Sequence, residues 1–315
     1  EVIPLLLLSL TEENRGLILQ AFVLICRFAT GKSFSESRRE YATNALRQLA
    51  TDEMIDYLVS SLLSPRATDK SRQALTQVLA FLDDKSARRV MALLTREKSA
   101  ANRKLLAAVL ILTGSTAVPI LQEHLLDDRW YVVRNAVAIL GEIRQQDCLV
   151  HLTPLLQHKD LRVCRETIRA LTKIGGPRAI NILLQTTINS DQELRRQALL
   201  SLGAIRAASA VPTLLKIVKK EGWSRDSVDL RKDAIRSLGE IRSSDEVPEL
   251  KLIVDKRRIF RRQRCDELRV AAATALGDIG DERARATLEK ATHDKSPDVA
   301  RAANKALKLL DKVTP

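Results

Sequence analysis

The 315-residue sequence predicts an all-α chain: a right-handed α-α superhelix of about eight helical hairpins preceded by three helices. Three observations carry that prediction. Apolar residues make up 45% of the chain but aromatic residues only 3%, and small and medium aliphatics suit layered helices better than β-sheets, whose strands favour rings and β-branched side chains. A short signal recurs at a nearly fixed step. Within each step the apolar residues fall at helical spacing.

The recurring signal is Leu-Gly-x-Ile: Leu140-Gly141-Glu142-Ile143, Leu202-Gly203-Ala204-Ile205, Leu238-Gly239-Glu240-Ile241 and Leu276-Gly277-Asp278-Ile279, with a degenerate copy at Leu171-Thr172-Lys173-Ile174. Four residues before each Leu stands a small residue: Ala136, Thr167, Ala198, Ala234 and Ala272. The register extends to Ala74 and Leu105 upstream and to Ala303 downstream. The step is 31 residues as far as Ala198 and then 36, 38 and 31. Such a period marks a repeat array rather than a globular core.

Taken in order, three helices are expected near 2–10, 12–29 and 36–50, followed by eight pairs between Asp52 and Asp311. Residues 1–51 are therefore expected to form atypical N-terminal helices and residues 52–315 the repeat array, all in one continuous solenoid. The apolar run Gly16–Phe28 is interrupted by Gln20 and Arg27 and falls short of the ~20 residues a membrane span requires, so it reads as a buried helix and no transmembrane segment is expected. The chain begins without Met, at Glu1-Val2-Ile3-Pro4, which leaves room for an upstream segment or domain.

In each pair the second helix carries a stripe such as Val132, Ala136, Leu140 and Ile143, spaced for one helical face. The first helix often opens with Val-Pro, as at Val118-Pro119, Val211-Pro212 and Val247-Pro248, because proline's missing N–H costs nothing in a first turn. Small residues at the Ala136 register let helices cross at 8–10 Å. The glycine after Leu is expected to admit the next hairpin closely.

The pattern resembles the HEAT-like repeat named after phycobilisome lyases. Asp191, Leu194, Arg195, Ala198, Leu202, Gly203 and Ile205 match it, as do Leu268, Arg269, Ala272, Leu276, Gly277, Ile279 and Gly280. Val133, Cys164 and Ala300 replace its arginine in other copies. The resemblance implies stacked helical hairpins that present a binding surface, and it is nearly silent on the ligand.

No catalytic constellation accompanies the repeat. The four histidines, His124, His151, His158 and His293, form no HExxH, HxH or Cys/His pair at ligand spacing. The HEAT-like deoxyhypusine hydroxylases hold iron with His-Glu pairs, whereas this chain has one Glu123-His124 in reverse order. Neither a nucleophile elbow nor a phosphate loop is present, so no enzyme activity and no cofactor are expected. Cys26, Cys148, Cys164 and Cys265 read as small apolar residues without disulfide spacing, which favours a cytoplasmic setting.

Charge supplies the functional reading. Residues 1–127 carry 16 basic against 14 acidic side chains, and residues 128–315 carry 36 against 25, so +11 of the net +13 belongs to the C-terminal part. Arg72, Arg103, Arg134, Arg165 and Arg196 recur every 31 residues and are continued by Lys232 and Arg301, with Val270 as a break. This position lies about 200° around the helix from the first apolar residue and points away from the core stripe. By the family resemblance the ladder lines the concave face, flanked by Arg169, Lys173, Arg206, Arg236 and Arg242.

The longer steps of 36 and 38 place extra residues between first and second helices of two neighbouring hairpins. They are expected to emerge as loops at Lys219–Arg225, with Trp223, and at Lys256-Arg257-Arg258-Ile259-Phe260-Arg261-Arg262-Gln263-Arg264. The second run holds six basic residues and no acidic one. The expected function is a non-enzymatic scaffold presenting a basic concave face and basic edge loops to an acidic protein or peptide. The alternative is sequence-independent nucleic-acid binding, with Trp223 or Phe260 stacking on bases.

Overall fold

A computed structural model describes residues 14–189, 191–220, 222–257 and 260–313 of the chain. The helix expected near 2–10 lies outside them. Among the described residues there are helices and no strands. After α1 (Arg15–Thr30) and α2 (Glu36–Leu49), the helices pair into hairpins. These are α3–α4 (Asp52–Leu63, Asp69–Phe81), α5–α6 (Asp83–Leu94, Ala100–Thr113), α7–α8 (Ala117–Glu123, Trp130–Ile143) and α9–α10 (Leu149–Leu152, Leu161–Ile174). They continue as α11–α12 (Gly176–Thr186, Gln192–Ala204), α13–α14 (Val211–Lys219, Arg225–Ile241), α15–α16 (Val247–Asp255, Arg262–Ile279) and α17–α18 (Arg285–Ala291, Pro297–Val313). The eight expected pairs are present, and the class is that of an α-α superhelix.

Two compact units divide the chain after His151. Within the first, second helices pack on second helices (α4 on α6, α6 on α8) and first on first (α3 on α5, α5 on α7). Within the second, α10, α12, α14, α16 and α18 form the second-helix layer, with α15 on α17 in the first-helix layer. The small-residue register sits at these crossings: Ala136, Thr167, Ala198, Ala234, Ala272 and Ala303 are all fully buried.

Local chemistry sets the helix ends. Thr51, Thr68, Ser99, Asp160, Asp191 and Ser224 each accept a hydrogen bond from a backbone N–H of the first turn they precede, which satisfies an otherwise orphaned donor. At the other end, Gly114, Gly175, Arg206, Arg242 and Gly280 adopt positive φ just beyond the second helix, as does Arg144. Glycine enters that region freely; arginine does so at a cost of about 1 kcal/mol.

The glycine after each Leu behaves as expected. A Cβ on Gly203, Gly239 or Gly277 would lie 2.9, 2.9 and 2.7 Å from the Cα of Ser237, Ala275 and Ala306 on the next second helix. No rotamer change can relieve a clash with backbone, so the stack is built on bare glycine at these contacts.

The stretch Ala100–Leu126 is long and apolar enough for a membrane span by composition. It is folded as α6 and α7 around Gly114, with Leu106, Val109, Leu110, Ile120 and Leu121 buried among the other helices.

Candidate interaction surface

The basic ladder on the second helices is largely compensated. In the first unit, Arg72 donates to the Ser64 carbonyl at 3.4 Å, and Arg103 to the Lys98 and Glu97 carbonyls at 2.7 and 3.2 Å. Both side chains turn back to the end of their partner helix. In the second unit carboxylates stand opposite: Arg196 meets Asp233 at 3.2 Å, Lys232 meets Glu267 at 2.9 Å, and Arg301 meets Asp298 at 2.7 Å. Flanking Arg169 and Arg236 are answered on their own helices by Glu166 and Glu240, each at 3.2 Å. Arg206 and Arg242 occupy the left-handed turns described above.

Among the described residues, Arg103, Arg134 and Arg165 have no carboxylate partner, and the Nε of Arg72, Arg134 and Arg165 is buried without a hydrogen bond. Arg134 donates only sideways, to Asn135 Oδ1 at 3.0 Å.

The pairing leaves a mark on the acids. Burial alone would raise the Glu267 carboxyl, but hydrogen bonds from Lys232 and Arg225 outweigh it and hold it below the ordinary value. Asp233 goes the other way, because burial outweighs the attraction of Arg196.

One residue before Arg196, Lys232 and Val270 stands the consensus arginine, a marker of the fold in the sequence. Arg195, Arg231 and Arg269 donate to the Asn189, Val218 and Val254 carbonyls at 2.9, 2.8 and 2.8 Å, tying each second helix to its own partner. Cys164 replaces this arginine, and its thiol donates to the His158 carbonyl at 3.2 Å. Arg269 goes further, pairing with Asp266 at 2.9 Å and with buried Asp294. The Arg269 hydrogen bond holds the Asp294 carboxyl down at about 2, with Arg257 adding to the effect.

The extra residues do not emerge as two long loops. The segment between α13 and α14 is 220–224, as short as 187–191 in the regular hairpin before it. The added length goes into helix: α12 has 13 residues, whereas α14 has 17 and α16 has 18. Extending a helix satisfies the backbone of every inserted residue without a partner strand or solvent, which a loop cannot do.

That correction repositions the predicted residues. Trp223 is half-buried, with the Arg231 guanidinium 5.7 Å from its ring centre, and its carbonyl accepts from Arg264. Its ring borders a cavity of about 220 Å³ with Val218, Leu252, Lys256 and Cys265. In the basic run, Arg257 pairs with Asp294 at 3.0 Å and Arg262 lies 3.7 Å from Asp266. Arg258 lies outside the described residues. Lys256 and Arg261 are exposed, and among the described residues no carboxylate pairs with either. Arg261 caps α16 in the left-handed conformation, at φ 61°, and beside it Phe260 is 85% exposed.

These groups share one edge of the second unit. Arg195 at the start of α12 reaches Asp226 at the start of α14, Arg225 reaches Glu267 on α16, and Arg257 and Arg269 reach Asp294 before α18. On the second-helix face below it lies a groove of about 980 Å³, floored by Val270, Thr274 and Ala302 and rimmed by Lys232, Glu267 and Arg301. Val270, the break in the ladder, is thus an apolar lining residue of this groove. The sequence signal for it was the missing charge itself.

Among the described residues no three His, Cys, Asp or Glu side chains come together as a metal site. His124 Nδ1 lies 2.8 Å from the Ile120 carbonyl of its own helix.

The sequence profile described as HEAT repeats matches residues 127–189, 182–265 and 257–314. No curated protein matches the chain in sequence. Among solved structures, the chain is similar to human deoxyhypusine hydroxylase in complex with glycerol, at 16% identity and TM-score 0.35, covering 93% of this chain and 97% of that one. It is also similar to Escherichia coli YibA, at 15% identity and TM-score 0.45, covering 90% and 99% of the two chains. For importin beta the values are 14% identity and TM-score 0.48, covering 95% of this chain and 48% of that one. With its second-helix consensus, stacked hairpins and three successive profile matches, the chain belongs to the HEAT-repeat family.

Proposed function

We propose that the chain is a non-enzymatic scaffold whose docking surface is the basic edge at the start of α16, and that it receives an acidic segment of a partner protein. HEAT repeats generally mediate protein–protein interaction. The observation that carries the finer reading is Phe260, 85% exposed in a run where, among the described residues, neither Lys256 nor Arg261 has a carboxylate partner. An exposed ring beside such cations lowers its free energy when a partner covers it, and the cations steer an acidic partner to it. On the second-helix ladder Arg196, Lys232 and Arg301 are already paired with carboxylates, and the groove over Val270 adds apolar contact. Four free thiols fit a reducing, cytoplasmic setting.

The test is capture from native lysate with the wild-type chain and with the Lys256→Glu/Phe260→Ala/Arg261→Glu variant, each with and without nuclease. A protein partner lost by the variant and indifferent to nuclease supports the proposal. Partners lost on nuclease treatment transfer the edge to nucleic acid, which a steep salt dependence of binding would accompany. Equal recovery by both chains removes the edge as the site.

A further inference from the structure

At or near the start of the first helix, on the register of the repeat, five hairpins carry a small, fully buried residue: Ala117, Cys148, Ala179, Ala210 and Ala284 are all 0% exposed. They keep the step of the repeat, and at the same register the α15–α16 hairpin has Glu246. Glu246 is also 0% exposed, and neither carboxylate oxygen has a hydrogen-bond partner. A carboxylate thus occupies a slot that five other hairpins fill with a methyl or a thiol, while Ser86, one step before Ala117, buries a hydroxyl there.

We propose that Glu246 makes the α15–α16 hairpin a pH-gated weak point: closed with the neutral acid inside, and opened locally when the carboxyl ionises. An unpaired buried carboxylate is far costlier than the neutral acid, so ionisation is relieved by moving the group to water. Glu246 lies in the turn that starts α15, so its exit pulls that helix's first turn from the stack.

The surroundings offer no counter-charge. Asp245 beside it is a like charge. The helices and turn packed on α15 are α16, α17 and residues 282–284. Their cations are engaged elsewhere: Arg262 with Asp266, Arg264 with the Trp223 carbonyl, Arg269 with Asp294 and Asp266, Arg285 with Glu282 and Asp311, Lys290 with Asp255, and Arg283 with Asp281 and the Ser244 carbonyl. Burial, with Asp245 adding to it, raises the carboxyl above its ordinary value while Ser243 offsets part. The sign follows: an acid held neutral by the fold contributes no penalty below the ordinary glutamate range, and stability falls as pH rises from there through the raised value. The inference is independent of which partner the edge binds.

Amide hydrogen exchange over residues 242–257, corrected for the intrinsic pH dependence, tests it at pH 5 and pH 8. In the wild type the corrected opening rises at least tenfold between the two, while the α11–α12 segment stays level. Glu246→Ala, the residue of four equivalent slots, and Glu246→Gln, which keeps the shape without the charge, stay slow at both. The proposal is overturned if wild-type opening is the same at both pH values, or if either variant retains the pH-dependent rise. The glutamine variant keeps the test decisive should the alanine variant fail to fold.

Discussion

In the α11–α12 hairpin the Arg195 side chain is 16% exposed and shares its charge with Asp226, itself 52% exposed. In the α15–α16 hairpin the register-equivalent Arg269 and its partner Asp294 are 4% and 3% exposed. Both arginines make the same bond to the end of their partner helix, at 2.9 and 2.8 Å. What differs is the partner: Asp294 is itself buried and also holds Arg257, whereas Asp226 is half exposed. A fold-level device in one hairpin becomes a buried ion pair in another without any change of residue type.

Replacing Asp294 by Asn is the strongest way to break this comparison. It removes the buried partner of Arg269 and leaves it Asp266, with an expected loss of about 3 kcal/mol, whereas Asp226→Asn removes an exposed pair and costs about 1 kcal/mol or less. Urea unfolding of the two variants measures the gap; equal losses would mean that burial does not separate the hairpins. The same carboxyl predicts an acid limb. Asp294 ionises at about 2 when folded, against an ordinary value of 3.8, so its stabilisation is present above 3.8 and is lost as pH falls through about 2. Unfolding midpoints from pH 5 down to pH 2 should show this limb in the wild type and a shallower one in Asp294→Asn.

Next in size are the glycine contacts, where the two hairpins should agree. Gly203→Ala and Gly277→Ala each drive a Cβ into the backbone of the following helix, at an expected cost of about 1–3 kcal/mol in thermal or urea unfolding. A much smaller cost at one site would show that its neighbour can withdraw. The smallest effect concerns the strained turns. Arg206→Gly and Arg242→Gly relieve a left-handed arginine and are expected to gain up to about 1 kcal/mol each, visible as a small rise in melting temperature.

The fold was legible because a repeat states its register many times. Ala136, Leu140 and Gly141 are buried where the pattern put them, and the Val-Pro starts open α13 and α15. The candidate surface was legible only in part. Exposure of Phe260 agrees with its setting in a basic run, but Trp223 is half-covered by Arg231, and Lys232 is neutralised by a glutamate 35 residues away. A sequence step shows which residues recur on a helix, not which acid on the next helix faces them.

The sequence by itself determined the helical hairpins, their order, their small-residue crossings and the glycines that bring them close, since those depend on periodicity and side-chain size. Tertiary structure decided where the charge survives. Two insertions read as loops became helical turns because helix satisfies its own backbone. Arg269 and Asp294 are buried together, and the stack encloses Glu246 at a register that four other hairpins fill with alanine. Charge is a property of residues, but its energy is set by water and by the partner across the interface, and only packing supplies either.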